Sequence, residues 1–244
     1  QGLQRIALLD YRACQGGETS ALLDACLAEK PEAVLLDVAA EADLAVIGRL
    51  ITDRIAAGTM LAVDETGTPV ARPLMYDDPI TDADVLERIG AVAPADSAVL
   101  APTSGLAKAL VLQRAPGVVH LLHQADWIAA RLSGRWDVSD ENNALKTGYD
   151  PIEQRWGQWM ADTGLQAGLL PRVLPVGDTI GSVSADAVGR LGLPEDMRIV
   201  AGTTDGCASF LATGASEVGD AVTVLGSSLT LKILSSAPIF SADH

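Results

Sequence analysis

Asp205 has the strongest claim on chemistry in this sequence. It stands in RIVAGTTDGCASFLATGA, residues 198 to 215, between a short apolar run closed by Gly-Thr-Thr and a stretch that reads as a helix. Two readings compete. Asp is among the best helix N-caps, so the carboxylate can serve simply to accept the first free backbone N–H groups. A carboxylate at the carboxyl end of a strand also lies where α/β folds gather their ligands, and there it can act as a general base. Gly206, its neighbour, would let a ligand approach the backbone closely. Further along, Gly226, Ser227 and Ser228 interrupt the apolar run GDAVTVLGSSLTLKIL. They form a hairpin turn or, with successive N–H groups and serine hydroxyls, a cup for phosphate oxygens.

Other candidates carry less. His120, His123 and Asp126 share i, i+3, i+6 spacing in VVHLLHQADWIAARL, which on a helix would give one metal-facing side. The surrounding run is that of a half-buried helix and no further ligands cluster with it, so structural histidines and no metal site are expected. DVSDENNALKTG lacks the sixth-position Gly and twelfth-position Glu of a calcium loop. G-x-x-x-x-G-K-[ST] does not occur, which excludes a P-loop. Cys14, Cys26 and Cys207 are odd in number and widely spaced, suggesting neither a zinc site nor a disulfide framework and fitting a reducing compartment.

The formal net charge of the 244 residues is −15, which repels nucleic acid and anionic membrane surfaces. An anionic ligand such as a nucleotide would need local donors. With 48% hydrophobic residues the chain can bury a sizeable core, yet no apolar run approaches the roughly 18 residues of a membrane span, and no signal-like segment opens it. A cytoplasmic protein is expected. The oligomeric state is left open, a homodimer included.

The elements that must position these residues follow from periodicity. Residues 1 to 57 read as β-α-β-α, with strands in RIALLD and AVLLDVA, which implies parallel pairing. GTMLAVDETGTPVARPLMYDD reads as a hairpin turning at Asp64 to Gly67. Residues 81 to about 134 read as mostly helical, and residues 137 to 150 as a polar functional loop or short strand connection. PIEQRWGQWMADTG reads as an amphipathic helix with Trp156 and Trp159 on one face. A helix near 184 to 191, the strand RIVAG, the Asp205 turn, a helix to Gly214 and a final hairpin complete the pattern.

Taken in order, GTMLAVDETGTPVARPLMYDD, HQADWIAARLSGRWDVSDENNALKTGYD, AGTTDGCASFLATGA and GDAVTVLGSSLTLK resemble the FGGY carbohydrate kinases, in particular ribulose- and xylulose-kinase-like members, over residues 58 to 244. The resemblance implies an α/β, ribonuclease-H/actin-like kinase domain, incomplete here and preceded by the β-α-β-α segment. Residues 58 to 218 would be the sugar-binding domain in part, and 219 to 244 the start of the second domain. It implies ATP and Mg2+ as cofactors and a small-molecule sugar as partner. Asp205 would be the base that takes the proton of a sugar hydroxyl during phosphoryl transfer. Asp78, Ser104, Lys146 and Gly206 would lie on the substrate side, and Gly226, Ser227 and Ser228 would form the second phosphate loop.

Three departures qualify what the resemblance implies. The resemblance implies phosphorylation of a ketopentose or related sugar, but Ile80 stands two residues beyond Asp78, where the family usually carries Arg, so that assignment is open. The family's opening D-x-G-T is missing; its nearest counterpart is AAGT at 56 to 59, with Ala56 in place of the acid. Residues 1 to 57 instead faintly resemble the N-terminal domain of four-carbon acid sugar kinases, with a junction near Ala57 and Gly58. The chain is therefore expected to hold mainly the sugar-binding half of a kinase and to transfer phosphate poorly by itself. The alternative is a non-catalytic sugar-binding or scaffold fragment.

Overall fold

The computed structural model describes residues 6–9, 33–36, 60–95, 97–225 and 229–237. Contacts divide the chain into two units, Gln1–Ala57 with Val183–Met197, and Gly58–Ser182 with Arg198–His244. In the first unit, β1 (Ile6–Leu9) and β2 (Ala33–Leu36) pair in parallel, in register from Ile6 with Ala33 to Leu9 with Leu36. Parallel neighbours need a long connection, which the intervening chain supplies. The helices expected within residues 1 to 57 lie outside the described residues.

The second unit is built on β3 (Met60–Val63), four fully buried residues. Its expected hairpin forms around the Asp64 carboxylate, whose Oδ1 accepts from the N–H groups of Thr66 at 2.8 Å and Thr68 at 2.9 Å, while Gly67 takes φ +78°. The returning arm makes only two isolated bridges, Val63 with Pro69 and Met60 with Leu74. Pro69 and Pro73 have no N–H to give a ladder, so no second strand propagates. The other edge of β3 pairs antiparallel with β4 (His120–His123), from Met60 with His123 to Val63 with His120.

α2 (Gly105–Leu112) packs against β3, and α1 (Ala83–Val92) packs against α2 and the later turn Gln158–Thr163. Asp82 caps α1, with Oδ1 accepting from Val85 N–H at 3.2 Å, and Val85 and Ile89 are buried. In α2 every residue but Val111 is buried. Met60, Ile80, Val85, Ile89, Leu106 and Leu110 belong to the main apolar core, with Met160, Leu165 and Leu169 from later turns.

His120 and His123 thus lie on a strand, which corrects the expected helical face. β4 has a ready partner in β3, and tertiary pairing overrides the helical spacing. The helix begins one residue later as α3 (Gln124–Ser133), where Asp126 Oδ2 accepts from His123 N–H at 2.9 Å, and it ends at Gly134 with φ 74°.

After α3 come β5 (Val138–Asp140), α4 (Glu141–Leu145), β6 (Tyr149–Asp150) and β7 (Arg155–Trp156). β5 pairs in parallel with β8 (Arg172–Leu174). The expected Trp156–Trp159 helix is absent: Trp156 is in β7, antiparallel to Tyr149, and Trp159 lies in the 3-10 turn Gln158–Thr163. Trp156 meets Tyr149 edge to face at 5.4 Å and donates its indole N–H to Pro171 O at 3.1 Å. At Gly157 the Trp159 indole occupies the space a Cβ would need, so the chain bends where a helix would have continued.

The remainder follows the sequence pattern. β9 (Thr179–Ser182) pairs antiparallel with β10 (Arg198–Val200), and between them α5 (Ala185–Leu191) belongs to the first unit. Next come α6 (Asp205–Leu211) and the antiparallel β11 (Ala221–Leu225) and β12 (Leu229–Ile233).

Gly67 offers a direct check on the hairpin. A Cβ there would fall 2.1 Å from the Trp136 ring, on a backbone already at positive φ. Gly67→Ala is expected to lower unfolding free energy by about 1–3 kcal/mol. Urea titration monitored by tryptophan fluorescence measures it, and an unchanged midpoint would contradict this packing.

Candidate functional site

The substrate-side candidates gather at the N-terminus of α2. Ser104 is buried and its Oγ accepts from Ala107 N–H at 3.2 Å, so its hydroxyl works as the helix cap. One residue on, Gly105 N–H donates to Lys146 O at 3.0 Å. A Cβ on Gly105 would sit 2.3 Å from Thr147 Oγ1, so only glycine permits this approach. Lys146 is the C-cap of α4 and its side chain is exposed. Asp78 is half-buried in the loop before α1, with Oδ2 accepting from Met75 N–H at 2.9 Å and forming a long ion pair, 4.0 Å, with the exposed Arg72 guanidinium. Ile80 N–H donates to Pro102 O at 3.0 Å, tying this loop to the approach to α2, and the Ile80 side chain is in the apolar core.

Lys108 unites these pieces. It is fully buried, and Nζ donates to Tyr76 O at 2.9 Å and Thr103 O at 2.7 Å. Burial pulls its pKa down, the negative charges of Asp78 and Asp77 oppose that, and Lys146 adds to it. Asp78, Ser104 and Lys146 are therefore brought together around a lysine that the reading of the sequence passed over. The available signal was one cation inside the otherwise apolar GLAKALVL, since Lys is almost never fully buried without partners.

Asp205 is the first residue of α6, and the cap is its predecessor: Thr204 Oγ1 accepts from Cys207 N–H at 3.4 Å. The N-cap reading of Asp205 is thus corrected, and its carboxylate is released from that duty. It is exposed, and Oδ1 accepts from Gly206 N–H at 2.7 Å. The preceding β10 buries Ile199 alone. Lys232 of β12 donates to Gly206 O, which sets a cation beside the turn that the reading of the sequence did not single out. Gly226, Ser227 and Ser228 lie outside the described residues.

The short helix α4 links the two groups. Asp140 caps it, with Oδ1 accepting from the N–H groups of Asn142 at 3.0 Å and Asn143 at 2.9 Å, while Oδ2 accepts from Asn143 Nδ2 at 2.8 Å. Near its start, Asn142 Nδ2 donates to Thr203 Oγ1 at 2.6 Å, two residues before Asp205. At its end, Lys146 O holds Gly105. At about 1.5 Å of rise per residue, the two attachment points lie ~6 Å apart along the helix axis.

Behind α4 is a buried polar layer. His123 Nε2 shares a hydrogen bond with Thr147 Oγ1 at 3.0 Å, and Asp126 is fully enclosed. Loss of water raises the Asp126 pKa to about 8, and Asp140 adds to the rise, against hydrogen bonds from His123 N–H and the Ser139 side chain that favour the anion. Among the described residues, no group of three or more His, Cys, Asp or Glu side chains converges as metal ligands, and no helix is long and apolar enough to cross a membrane.

Comparison with known proteins supplies the fold and a partial match in sequence. No family model matches the chain. The autoinducer-2 kinase of Enterobacter sp. (strain 638) is 36% identical over 104 residues, which is 42% of this chain and 19% of that protein. A xylulose kinase from Rhodospirillum rubrum superposes with a TM-score of 0.58 at 22% identity, covering 68% of this chain and 36% of the other. Plasmodium falciparum glycerol kinase, solved with ADP, gives a TM-score of 0.62 at 16% identity over 91% of this chain and 44% of its own. The fold is therefore α/β, of the ribonuclease-H/actin-like type found in FGGY carbohydrate kinases, and the chain carries part of it. Its resemblance to that family holds in both sequence and structure. The chain spans about a fifth of the curated relative's length and about two fifths of the solved neighbours'.

The buried acid makes a signed prediction. Asp126 unfolds to an ordinary carboxyl near 3.8 and folds to one near 8, so between those values the native state binds more protons than the unfolded state. Its contribution is fully favourable below pH 4, falls as pH rises to 8 at a limiting ~1.4 kcal/mol per pH unit, and is flat above. Asp126→Asn should flatten the decline in stability between pH 5 and 8. Denaturant melts across that range check it, and parallel slopes for both proteins would contradict the buried neutral acid.

Proposed function

We propose that this chain is the sugar-binding part of an ATP-dependent carbohydrate kinase that phosphorylates a hydroxyl of a ketopentose or related sugar. The observation that carries the reading is Asp205: an exposed carboxylate at a strand-to-helix turn, relieved of capping by Thr204, on a fold shared with sugar kinases. MgATP, when bound, supplies the phosphoryl group that the acceptor oxygen takes. Mg2+ commonly takes one or two carboxylates together with phosphate oxygens and water; among the described residues no group of three or more His, Cys, Asp or Glu side chains converges, so the metal would be held chiefly by the nucleotide's phosphates and water.

The chain's own residues do the rest. Asp205 would accept the acceptor hydroxyl's proton as that oxygen bonds to the γ-phosphorus and the bond to the departing ADP oxygen breaks, and would later release the proton to solvent. Gly206 N–H holds one carboxylate oxygen and leaves the other to face the hydroxyl. Asp78 accepts from further sugar hydroxyls, and Lys146 reaches the same side. Gly226, Ser227 and Ser228 serve as a phosphate loop in this proposal. Residues 58 to 218 act as the sugar-binding domain and 219 to 244 as the start of the second, with 1 to 57 as a separate unit. The protein works in the cytoplasm. Ile80 lies in the apolar core and takes no part in sugar contact, and a cation beside Asp78 comes instead from Arg72, 4.0 Å from its Oδ2.

In the protein that carries this chain, Asp205→Asn is expected to lower sugar-dependent ADP release by ~10²- to 10⁴-fold, the usual contribution of a general base. Sugar affinity should change little. A coupled assay over ketopentoses and polyols, paired with calorimetric titration, reads both. Undiminished turnover in the variant would overturn the role of Asp205, and sugar binding without turnover in either protein would favour the non-catalytic reading.

A further inference from the structure

We infer that Lys108 is a positioning residue for the sugar side of this site, its buried ammonium clamping the loop that carries Asp77 and Asp78 onto the N-terminus of α2. The inference rests on the sugar-kinase reading for its functional meaning, and on geometry alone for the clamp. Lys108 has no exposed surface, yet its two hydrogen bonds go to main-chain carbonyls and not to a carboxylate. A lysine taken out of water for packing alone is costly, and a Leu or Met would fill the same apolar helix without that cost. The ammonium must therefore serve the groups it touches.

Those groups are informative. Tyr76 O belongs to the loop two residues before Asp78, and Thr103 O to the residue before the Ser104 cap. One ammonium thus spans 32 positions of sequence to join the two substrate-side segments. On the other side of Asp78, Ile80 N–H to Pro102 O makes the second tie, so the Asp77–Asp78 stretch is anchored at both ends. Carbonyls carry only partial charge, and the full charges facing Lys108 are Asp78 and Asp77, with Lys146 opposed. The ammonium accordingly draws the two carboxylates toward the α2 end while leaving them half-buried or exposed for a ligand.

The test is hydrogen–deuterium exchange read by mass spectrometry on the wild type, Lys108→Met and Lys108→Arg, with sugar titrations on the same proteins and on Asp78→Asn. Met keeps the stem and removes the donors. Losing these bonds should speed exchange in the peptide covering residues 74 to 80 by about tenfold or more while β4 is unchanged, and Arg should restore much of the protection. Sugar affinity should fall by a similar factor in the Met variant. Unchanged exchange at 74 to 80, equal loosening in Arg and Met, or uniformly faster exchange across the chain would each overturn the clamp. Local loosening with sugar affinity intact would overturn its role in positioning. If Asp78→Asn also leaves affinity intact, the sugar-site reading fails while the exchange data still decide the clamp.

Discussion

The Asp140 carboxylate, buried and accepting three N–H groups at 2.8 to 3.0 Å, is the interaction on which the site depends. A five-residue helix is far too short to be stable by itself, because nucleation costs more than so few hydrogen bonds return. Asp140 satisfies the donors at its start, and strand β5 fixes Asp140 in turn. With α4 held, Asn142 can grip Thr203 and Lys146 O can grip Gly105. The helix thereby gives the Asp205 turn and the α2 end one shared support. The layer beneath, from Asp126 through His123 to Thr147, is buried and polar, so each member must find partners inside the protein.

Much of this was legible in the sequence, and the reasons differ by element. Gly67 and Asp64 announce a turn because their chemistry is local, and the turn is there. The strand and helix around Asp205 were visible for the same reason, a short apolar run followed by Thr-Thr-Asp-Gly. What local pattern misassigned was decided at a distance. HLLH reads as a helical face until MLAV, far back in the chain, pairs with it. Trp156 and Trp159 share helical spacing, but Tyr149, Pro171 and the crowding at Gly157 claim them separately. The cap belongs to Thr204 and not to its neighbour, a one-residue difference that spacing cannot resolve.

The substrate side shows a similar division. Asp78, Ser104 and Lys146 came from resemblance, and the described structure groups them, though with unequal roles: Ser104 is a buried cap, while Lys146 is exposed. Lys108 and Asn142 were missed because each acts through contacts to main chain or to Thr203 that no motif encodes. Ile80, a departure from the family pattern, is accounted for by burial in the apolar core. A side chain committed to the core cannot also reach a ligand beside Asp78.

The central claim, that Asp205 and Asp78 serve one acceptor sugar, is tested most directly by a crystal structure of the protein with a bound ketopentose or polyol. The account requires one sugar hydroxyl about 2.6–3.2 Å from the Asp205 carboxylate, with Asp78 accepting from another hydroxyl of the same molecule. A sugar bound with neither carboxylate in contact, or with Asp78 alone while Asp205 faces open solvent, would contradict it.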